Sequence, residues 1–321
     1  MRECVLCVLL KKVVIHMARL ALVTGAHGFI GRHVAKHLAN SGATVLALGH
    51  GNWSRSEWRN WGITDWHAAD ITPESLTTYG GEPDFIFHCA GSGSVSFSVA
   101  NPYQDFQRSV ATTLAILEYM RLHVPTAKLV LPSSAAVYGH ATRFPTQESD
   151  LLAPVSPYGV HKAMGEQLCK SYASHFGLSA SIVRLFSVYG IGLRKQLLWD
   201  ACTKLEHDDA CFSGTGAEAR DWICVTDAAA LLVAASIHAT KVCPIANGGS
   251  GQCVSVENIL SHVAKSINSR CAPIFSGTQR RGDPSKQIAD ISIAATWGWV
   301  PKVPWQTGVS QYVEWFKAGA I

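Results

Sequence analysis

The sequence predicts an α/β protein: a doubly wound parallel sheet with a smaller, discontinuous C-terminal lobe. Three observations carry that expectation. Short apolar runs alternate with amphipathic stretches from Leu20 onward, and a glycine-rich turn joins the first run to the first amphipathic stretch. The chain has 321 residues, 48% hydrophobic and only 16% charged, enough to bury one large core or two domains. Strands alternating with helices imply right-handed βαβ units and hence a parallel sheet.

Taken in order, the first strand is "LALVT" from Leu20, followed by the turn "GAHGFIG" and a helix through "RHVAKHLANSG". A second strand lies in "ATVLALG" and a later one in "DFIFHCAG". The helix "SVATTLAILEYMRLH" leads to the strand "AKLVLPSS", and "KAMGEQLCKSYASHFG" to "ASIVRLFSV". Beyond Gly190 the alternation weakens. "IGLRKQLLWDACTKL", "FSGTGAEARDW" and "GTQRRGDPSKQIADIS" read as the second lobe, while "VTDAAALLVAASIHA" returns as a helix on the main sheet. The expected organisation is an N-terminal extension at 1–17, a main domain at 18–190 and 221–248, and the lobe at 191–220 and 249–321. No repeat, low-complexity tract or flexible linker interrupts these segments, so the lobes should share a broad interface.

Composition narrows the function. The formal net charge is +4 and no Lys/Arg run exceeds a pair, which argues against a nucleic-acid surface. The apolar run Cys4–Leu10 ends at Lys11-Lys12, far below the ~20 residues a membrane span requires, and no membrane partner is expected. Residues 1–16 read as a tail upstream of an alternative start at Met17. Ten cysteines scattered through apolar segments suit free thiols in a reducing, cytoplasmic setting. Cys4 and Cys7 form a CxxC with no second pair at zinc-ligand spacing, so no metal site is expected.

In "TGAHGFIG", Gly25, Gly28 and Gly31 sit between a strand and a helix. That context lets backbone N–H groups and the helix dipole approach a pyrophosphate, and it predicts a dinucleotide site. An acid usually ends the next strand and holds the ribose; here the chain reads Gly49-His50-Gly51-Asn52, then Ser54-Arg55. With no carboxylate there to repel a 2′-phosphate, and with His50, Asn52, Ser54 and Arg55 as donors, NADP(H) is favoured and NAD(H) stays open. In "SPYGVHKAMGEQL", Tyr158 and Lys162 fall at i and i+4, on one face of a helix.

The motifs "TGAHGFIG", "AADI", "HCAG", "SSAAVYG" and "YGVHK", in this order and spacing, resemble the extended short-chain dehydrogenase/reductases. That group contains nucleotide-sugar epimerases, dehydratases and ketoreductases. The resemblance runs from about Leu20 to Phe316 and takes in "RDWICVTD", "ANGGSGQCVSVENI" and "RRGDPSKQIADIS". It implies a Rossmann dinucleotide-binding domain with a nucleotide-sugar-binding lobe, and a homodimer. It also implies that Tyr158 and Lys162 are the catalytic pair. A phenol ordinarily titrates near pH 10, and an adjacent ammonium favours its ionised form. The tyrosine would exchange a proton with a sugar hydroxyl or ketone while hydride moves to or from the nicotinamide, and the lysine would hold the nicotinamide ribose.

Further roles follow from the resemblance. Ser134 is the third catalytic residue, and Ser133 is the near alternative or a substrate contact. Phe29, Ile30, Asp70, Ile71, Ala90 and Gly91 join the three glycines, His50 and Arg55 at the cofactor. Gln196, Leu197, Arg220, Arg280 and Asp283 contact the nucleotide sugar, with Arg281 as a register alternative to Arg280. Guanidinium forks suit diphosphate oxygens. Four positions depart from the pattern. Ala135 and Ala136 follow Ser134 where dehydratases carry acids, which disfavours dehydration, and Ser109 and Ser187 replace the usual asparagines. The leading expectation is an NAD(P)-dependent 4-ketoreductase or dehydrogenase making a deoxysugar nucleotide. The alternative is an NAD-dependent nucleotide-sugar epimerase like UDP-glucose 4-epimerase, and a non-catalytic NADP-binding protein is the third class.

Overall fold

The computed structural model describes residues 19–278 and 286–319. Strand β1 (Leu20–Thr24) runs into α1 (Phe29–Asn40), β2 (Thr44–Gly49), α2 (Arg55–Asn60), β3 (Asp65–Ala68), α3 (Pro73–Tyr79) and β4 (Phe85–His88). Helices α4 (Val95–Ala100) and α5 (Pro102–Phe106), a π-helical turn at Gln107–Ala111 and α6 (Thr112–His123) lead to β5 (Lys128–Ser134). A 3₁₀ turn at Ala135–Tyr138 precedes α7 (Pro157–Phe176), β6 (Ser179–Leu185) and β7 (Ser187–Tyr189). Next come α8 (Gln196–Glu206), β8 (Cys211–Phe212), β9 (Ala219–Cys224), α9 (Val225–His238) and β10 (Ile245–Gly248). The chain closes with β11 (Cys253–Ser255), α10 (Val256–Ile267), β12 (Ile274–Phe275), α11 (Ser292–Thr296) and α12 (Trp305–Lys317).

The main sheet has the order β10-β6-β5-β4-β1-β2-β3, and every pairing in it is parallel. Side chains alternate across it as strand geometry requires. Ala21, Val23, Val45, Ala47, Phe85 and Phe87 join one core with α1 and α9, while Leu22, Leu48, Ile86, Leu129 and Ile182 join the other with α3, α6 and α7. Helices on both faces make the sheet doubly wound, as expected. The edge strand β3, "DWHA", is polar and mostly accessible, so it shows no apolar run in the sequence.

The small lobe is less cleanly cut than expected. Strands β7, β9 and β11 form a three-stranded sheet that straddles the anticipated boundaries at 190/191 and 220/221. Buried Asp221 stitches this lobe together by accepting from Ser250 Oγ (2.7 Å), Gly251 N (3.0 Å) and Ala289 N (3.0 Å). Residues around α11 return to the main core, where Ala294 and Trp299 are buried beside α9. Among the described residues no helix is long and apolar enough to cross a membrane.

Behind β5 lies a buried polar knot. Glu166 on α7 accepts from Arg184 Nε (3.0 Å) and Nη2 (2.7 Å) and from Ser133 Oγ (2.6 Å). Arg184 Nη1 also donates to the Tyr138 hydroxyl (2.9 Å), which donates to Asn247 Oδ1 (2.7 Å). The knot thus joins α7, β5, β6, the 3₁₀ turn and β10. Removing one member strands a charge in the interior: Arg184→Met should lower unfolding free energy by about 3–5 kcal/mol. Urea unfolding would measure this, and a change under about 1 kcal/mol would contradict it.

Candidate active site

The sheet changes winding direction between β1 and β4, where a crevice opens at the carboxyl ends of the strands. The glycine loop lies there. Gly25 (φ +70°) packs so closely on the segment after β4 that a Cβ would sit 2.5 Å from Ala90 N. A Cβ on Gly31 would lie 2.3 Å from Gly25 O. Only glycine fits these approaches. Gly28 caps α1 without a side-chain bond, and the first intrahelical bond runs from Arg32 N to Gly28 O (3.2 Å). The N–H groups of Phe29, Ile30 and Gly31 therefore open the helix without intrahelical acceptors, which suits a pyrophosphate. The side chain of Ile30 packs against the core shared by α1 and α9, and that of Phe29 against the small-lobe core.

On the opposite side of the crevice, α7 begins at Ser156-Pro157, with Ser156 Oγ accepting from Gly159 N (3.2 Å). Gly159 lies against the 3₁₀ turn after Ser134, where a Cβ would be 2.6 Å from Ala136 O. This close approach brings the first turn of α7, carrying Tyr158, to the end of β5, carrying Ser134. Lys162 Nζ donates to Pro132 O (3.0 Å) and lies 5.9 Å from the centre of the Tyr158 ring. Ser134, Tyr158 and Lys162 are all half-buried. The main-chain N of Tyr158 is held by Ser98 Oγ (3.0 Å). Ser133 is buried and gives its hydroxyl to Glu166, so the structure places it under the site and not at a substrate.

His88, at the end of β4, was not singled out in the sequence although "HCAG" contains it. Thr112 Oγ1 donates to Arg108 O (2.7 Å), so it must accept from His88 Nε2 (3.3 Å), and Thr24 Oγ1 then donates to Nδ1 (2.8 Å). Thr24 in turn accepts from Ala90 N (3.4 Å). Every polar atom of the set is used, and the ring is neutral: burial, aided by nearby Lys162, pushes its pKa down to about 3. The chain of bonds fixes the Ala90-Gly91 segment under the crevice. Ser109, in the π-helical turn, accepts from Ser92 N (3.3 Å) and so carries out backbone positioning with a shorter side chain than asparagine.

Beside the glycine loop the structure adds a carboxylate to the segment on which the NADP(H) expectation rested. Asp70, after β3, lies with Oδ1 in contact with His50 Nε2. Ser54 is committed to a capping box with Glu57, accepting from Glu57 N (3.3 Å) and donating to Glu57 Oε2 (2.6 Å). Asp70 thus stands beside the end of β2, where the local sequence offered no carboxylate, and Arg55 remains exposed at the start of α2. Ile71 packs into the core beneath α3.

In the second lobe, Gln196 opens α8 with φ +68° and an exposed side chain, while Leu197 packs into the lobe core. Arg220, on β9, is half-buried and donates Nη1 to Ala219 O (3.2 Å). Arg280, Arg281 and Asp283 lie outside the described residues, as do Cys4, Cys7 and the N-terminal extension.

Two histidines, buried His88 and half-buried His33, give the fold a testable acid sensitivity. Burial and Arg32 outweigh the bond to Ile191 O and bring His33 down to about 4, alongside His88 at about 3. Both pKa values are depressed in the folded state, so the unfolded chain binds protons first. Stability is complete above the ordinary histidine pKa and is lost as pH falls below it. The urea midpoint should be level above about pH 7 and decline from about pH 6.5 towards 4.5, with a shallower decline in His88→Asn. A level profile across that window would contradict the burial of these rings as neutral groups.

The comparisons with known proteins fit this geometry. The profile of the NAD dependent epimerase/dehydratase family matches residues 21–245. A putative UDP-glucose 4-epimerase of Methanocaldococcus jannaschii is 29% identical over 312 residues, covering 92% of this chain and 98% of that protein. The crystal structure of UDP-glucose 4-epimerase from Thermotoga maritima with UDP-glucose superposes with a TM-score of 0.84 at 25% identity, covering 94% of this chain and all of that one. UDP-glucuronic acid 4-epimerase from Bacillus cereus, in complex with UDP-glucuronic acid and NAD, gives a TM-score of 0.83 at 26% identity, covering 93% and 99%. With a family match over most of its length and a crevice built for a dinucleotide, the chain belongs to the NAD-dependent epimerase/dehydratase family, within the extended short-chain dehydrogenase/reductases.

Proposed function

We propose that the protein is a UDP-sugar 4-epimerase that retains NAD(H), the alternative reading of the sequence, and not a ketoreductase consuming NADPH. The observation that carries this is the convergence of Ser134, Tyr158 and Lys162 on a glycine-loop crevice with no further acid beside Ser134, where Ala135 and Ala136 follow. Such a set moves one proton and one hydride at a single carbon and has no group for expelling a hydroxyl. The likeness to UDP-sugar 4-epimerases, and the carboxylate of Asp70 at His50, favour the epimerase over the reductase.

Bound NAD would supply the hydride acceptor and return the hydride. Tyr158 takes the proton of the sugar C4 hydroxyl as that carbon gives up hydride, and delivers it back once the ketone presents its other face. Lys162, held by Pro132 O, stabilises negative charge on the Tyr158 oxygen and reaches the nicotinamide ribose. Ser134 hydrogen-bonds the same sugar oxygen. Its Oγ already accepts from Ala136 N (3.2 Å), which leaves its proton to donate. Arg220 and Gln196, at the start of α8, face the nucleotide, with Leu197 packed into the lobe core behind them.

The purified protein should carry NAD(H) and interconvert UDP-glucose and UDP-galactose, or the corresponding uronic acids, without net cofactor consumption. Tyr158→Phe should keep the cofactor and lose about 10²–10⁴-fold in turnover. Stoichiometric oxidation of added NADPH by a 4-keto nucleotide sugar would favour the reductase instead.

The protein is expected to act as a homodimer. Val99 and Tyr103 on α4 and α5, and Val160 and Met164 on α7, are exposed apolar side chains on mutually packed helices. Sedimentation should give a dimer mass, and Tyr103→Glu combined with Met164→Glu should give a monomer; a wild-type monomer would contradict this.

A further inference from the structure

We propose that His161, held by Asp105, is a positioning residue for the reaction: it sets the rotation of α7 about its own axis, and so the place of the Tyr158 phenol and the Lys162 ammonium in the crevice. The inference rests on the epimerase reading above and concerns what keeps its reacting groups aligned.

His161 lies between Tyr158 and Lys162, three residues after the one and directly before the other. At 3.6 residues per turn, Lys162 stands about 40° to one side of Tyr158 and His161 about 60° to the other. The ring thus flanks the reacting face without belonging to it. Its Nδ1 is 2.5 Å from Asp105 Oδ2, and it meets the Phe106 ring edge to face at 5.6 Å. Asp105 and Phe106 end α5, which packs against α7 together with α4. The Asp105 side chain is fully buried and that of His161 is 11% exposed.

The carboxylate makes this contact obligatory. Asp105 Oδ1 has no hydrogen-bond partner among the described residues, so the side chain depends on its bond to His161. A carboxylate out of water is costly unless it is hydrogen-bonded, and the fold therefore favours the rotation of α7 that keeps the ring in reach. Neutral or cationic, a ring with a proton on Nδ1 donates to an ionised carboxylate, so the bond holds in both forms. A second bond braces the same turn: Ser98 Oγ, buried on α4, donates to Val95 O (2.7 Å) and accepts from Tyr158 N (3.0 Å). The chain after α5 goes on to the floor of the crevice, where Ser109 accepts from Ser92 N and Thr112 from His88. Residues 95–112 thus hold the floor and the catalytic turn of α7 to each other.

The lever is long. A phenolic oxygen standing roughly 8 Å from the helix axis moves about 1.4 Å when the helix turns by about 10°. Misplacing a reacting atom by about 1 Å costs on the order of 10²-fold in rate. Glu166, one turn beyond Lys162, ties α7 to the sheet, and His161 ties it to α5, so rotation is fixed from two sides.

The test compares two amides and one apolar pair in the full-length protein with its cofactor bound. Turnover and KM are measured with UDP-galactose and UDP-galacturonic acid, alongside the urea midpoint and the NAD(H) content. His161→Asn places an N–H near the position of Nδ1, whereas His161→Gln carries it one bond further, away from Asp105. The Asn variant should keep kcat within about threefold; the Gln variant should lose about 10²-fold in kcat, with KM nearly unchanged and NAD(H) retained. His161→Leu combined with Asp105→Leu removes the buried carboxylate with its partner. It should keep a urea midpoint near wild type and still show the low kcat. Equal kcat in the two amide variants, or wild-type kcat in the double variant, would reduce the couple to a packing contact and overturn the proposal. If the double variant does not fold, the amide pair decides. A wild type inactive on both UDP-sugars would remove the epimerase reading and this one with it, whereas an active wild type with indifferent His161 variants removes this one alone.

Discussion

The buried ion pair of Glu166 and Arg184 is the interaction on which the geometry of the site depends. Neither side chain reaches solvent, so the pair is stable only with its remaining hydrogen-bond capacity filled, and Ser133, Tyr138 and Glu148 O fill it. Those partners belong to the end of β5, the 3₁₀ turn and the loop before α7. Satisfying one buried charge therefore sets the distance between the strand that ends in Ser134 and the helix that begins with Tyr158. The reacting groups sit on rigid elements because a desolvated carboxylate permits only one arrangement of its donors.

The other side of the crevice is organised by contact between backbones. Gly25 and Gly31 leave no room for a methyl group, and this closeness lets the opening N–H groups of α1 stand free over the sheet. Around them lies a layer of flat rings and cations. Arg32 sits 5.5 Å from the ring centre of Trp53 and 5.4 Å from that of Trp61, and its Nη2 donates to His27 O. The guanidinium is partly desolvated by these rings and steadies the loop from outside, as cation–π contacts do more strongly away from water. His27 in turn packs edge-on to Trp53 at 4.9 Å.

Local pattern was enough for some of the molecule. The main-sheet strands with continuous apolar runs, the glycine loop, the Ser-Pro start of α7, and the i, i+4 relation of Tyr158 to Lys162 are all decided within a few residues. The short polar strand β3 was not legible, because its four residues carry no apolar periodicity and exist as a strand only through pairing with β2. His88 was passed over for a related reason: a lone histidine at a strand end acquires meaning only when Thr24 and Thr112, distant in sequence, close around it.

What the sequence by itself determined is the parallel α/β sheet, the dinucleotide crevice and the tyrosine–lysine helix, since each follows from short-range periodicity, glycine sterics and helix capping. Only the tertiary structure decided the electrostatics. Ser133 looked as available as Ser134 until Glu166 claimed its hydroxyl. The end of β2 looked free of acids until β3 delivered Asp70 to His50. Strands β7 and β9 found each other across a long stretch of chain. Charges and hydrogen bonds act through space over a few ångströms, and separation along the chain does not reveal which residues folding will bring within that reach.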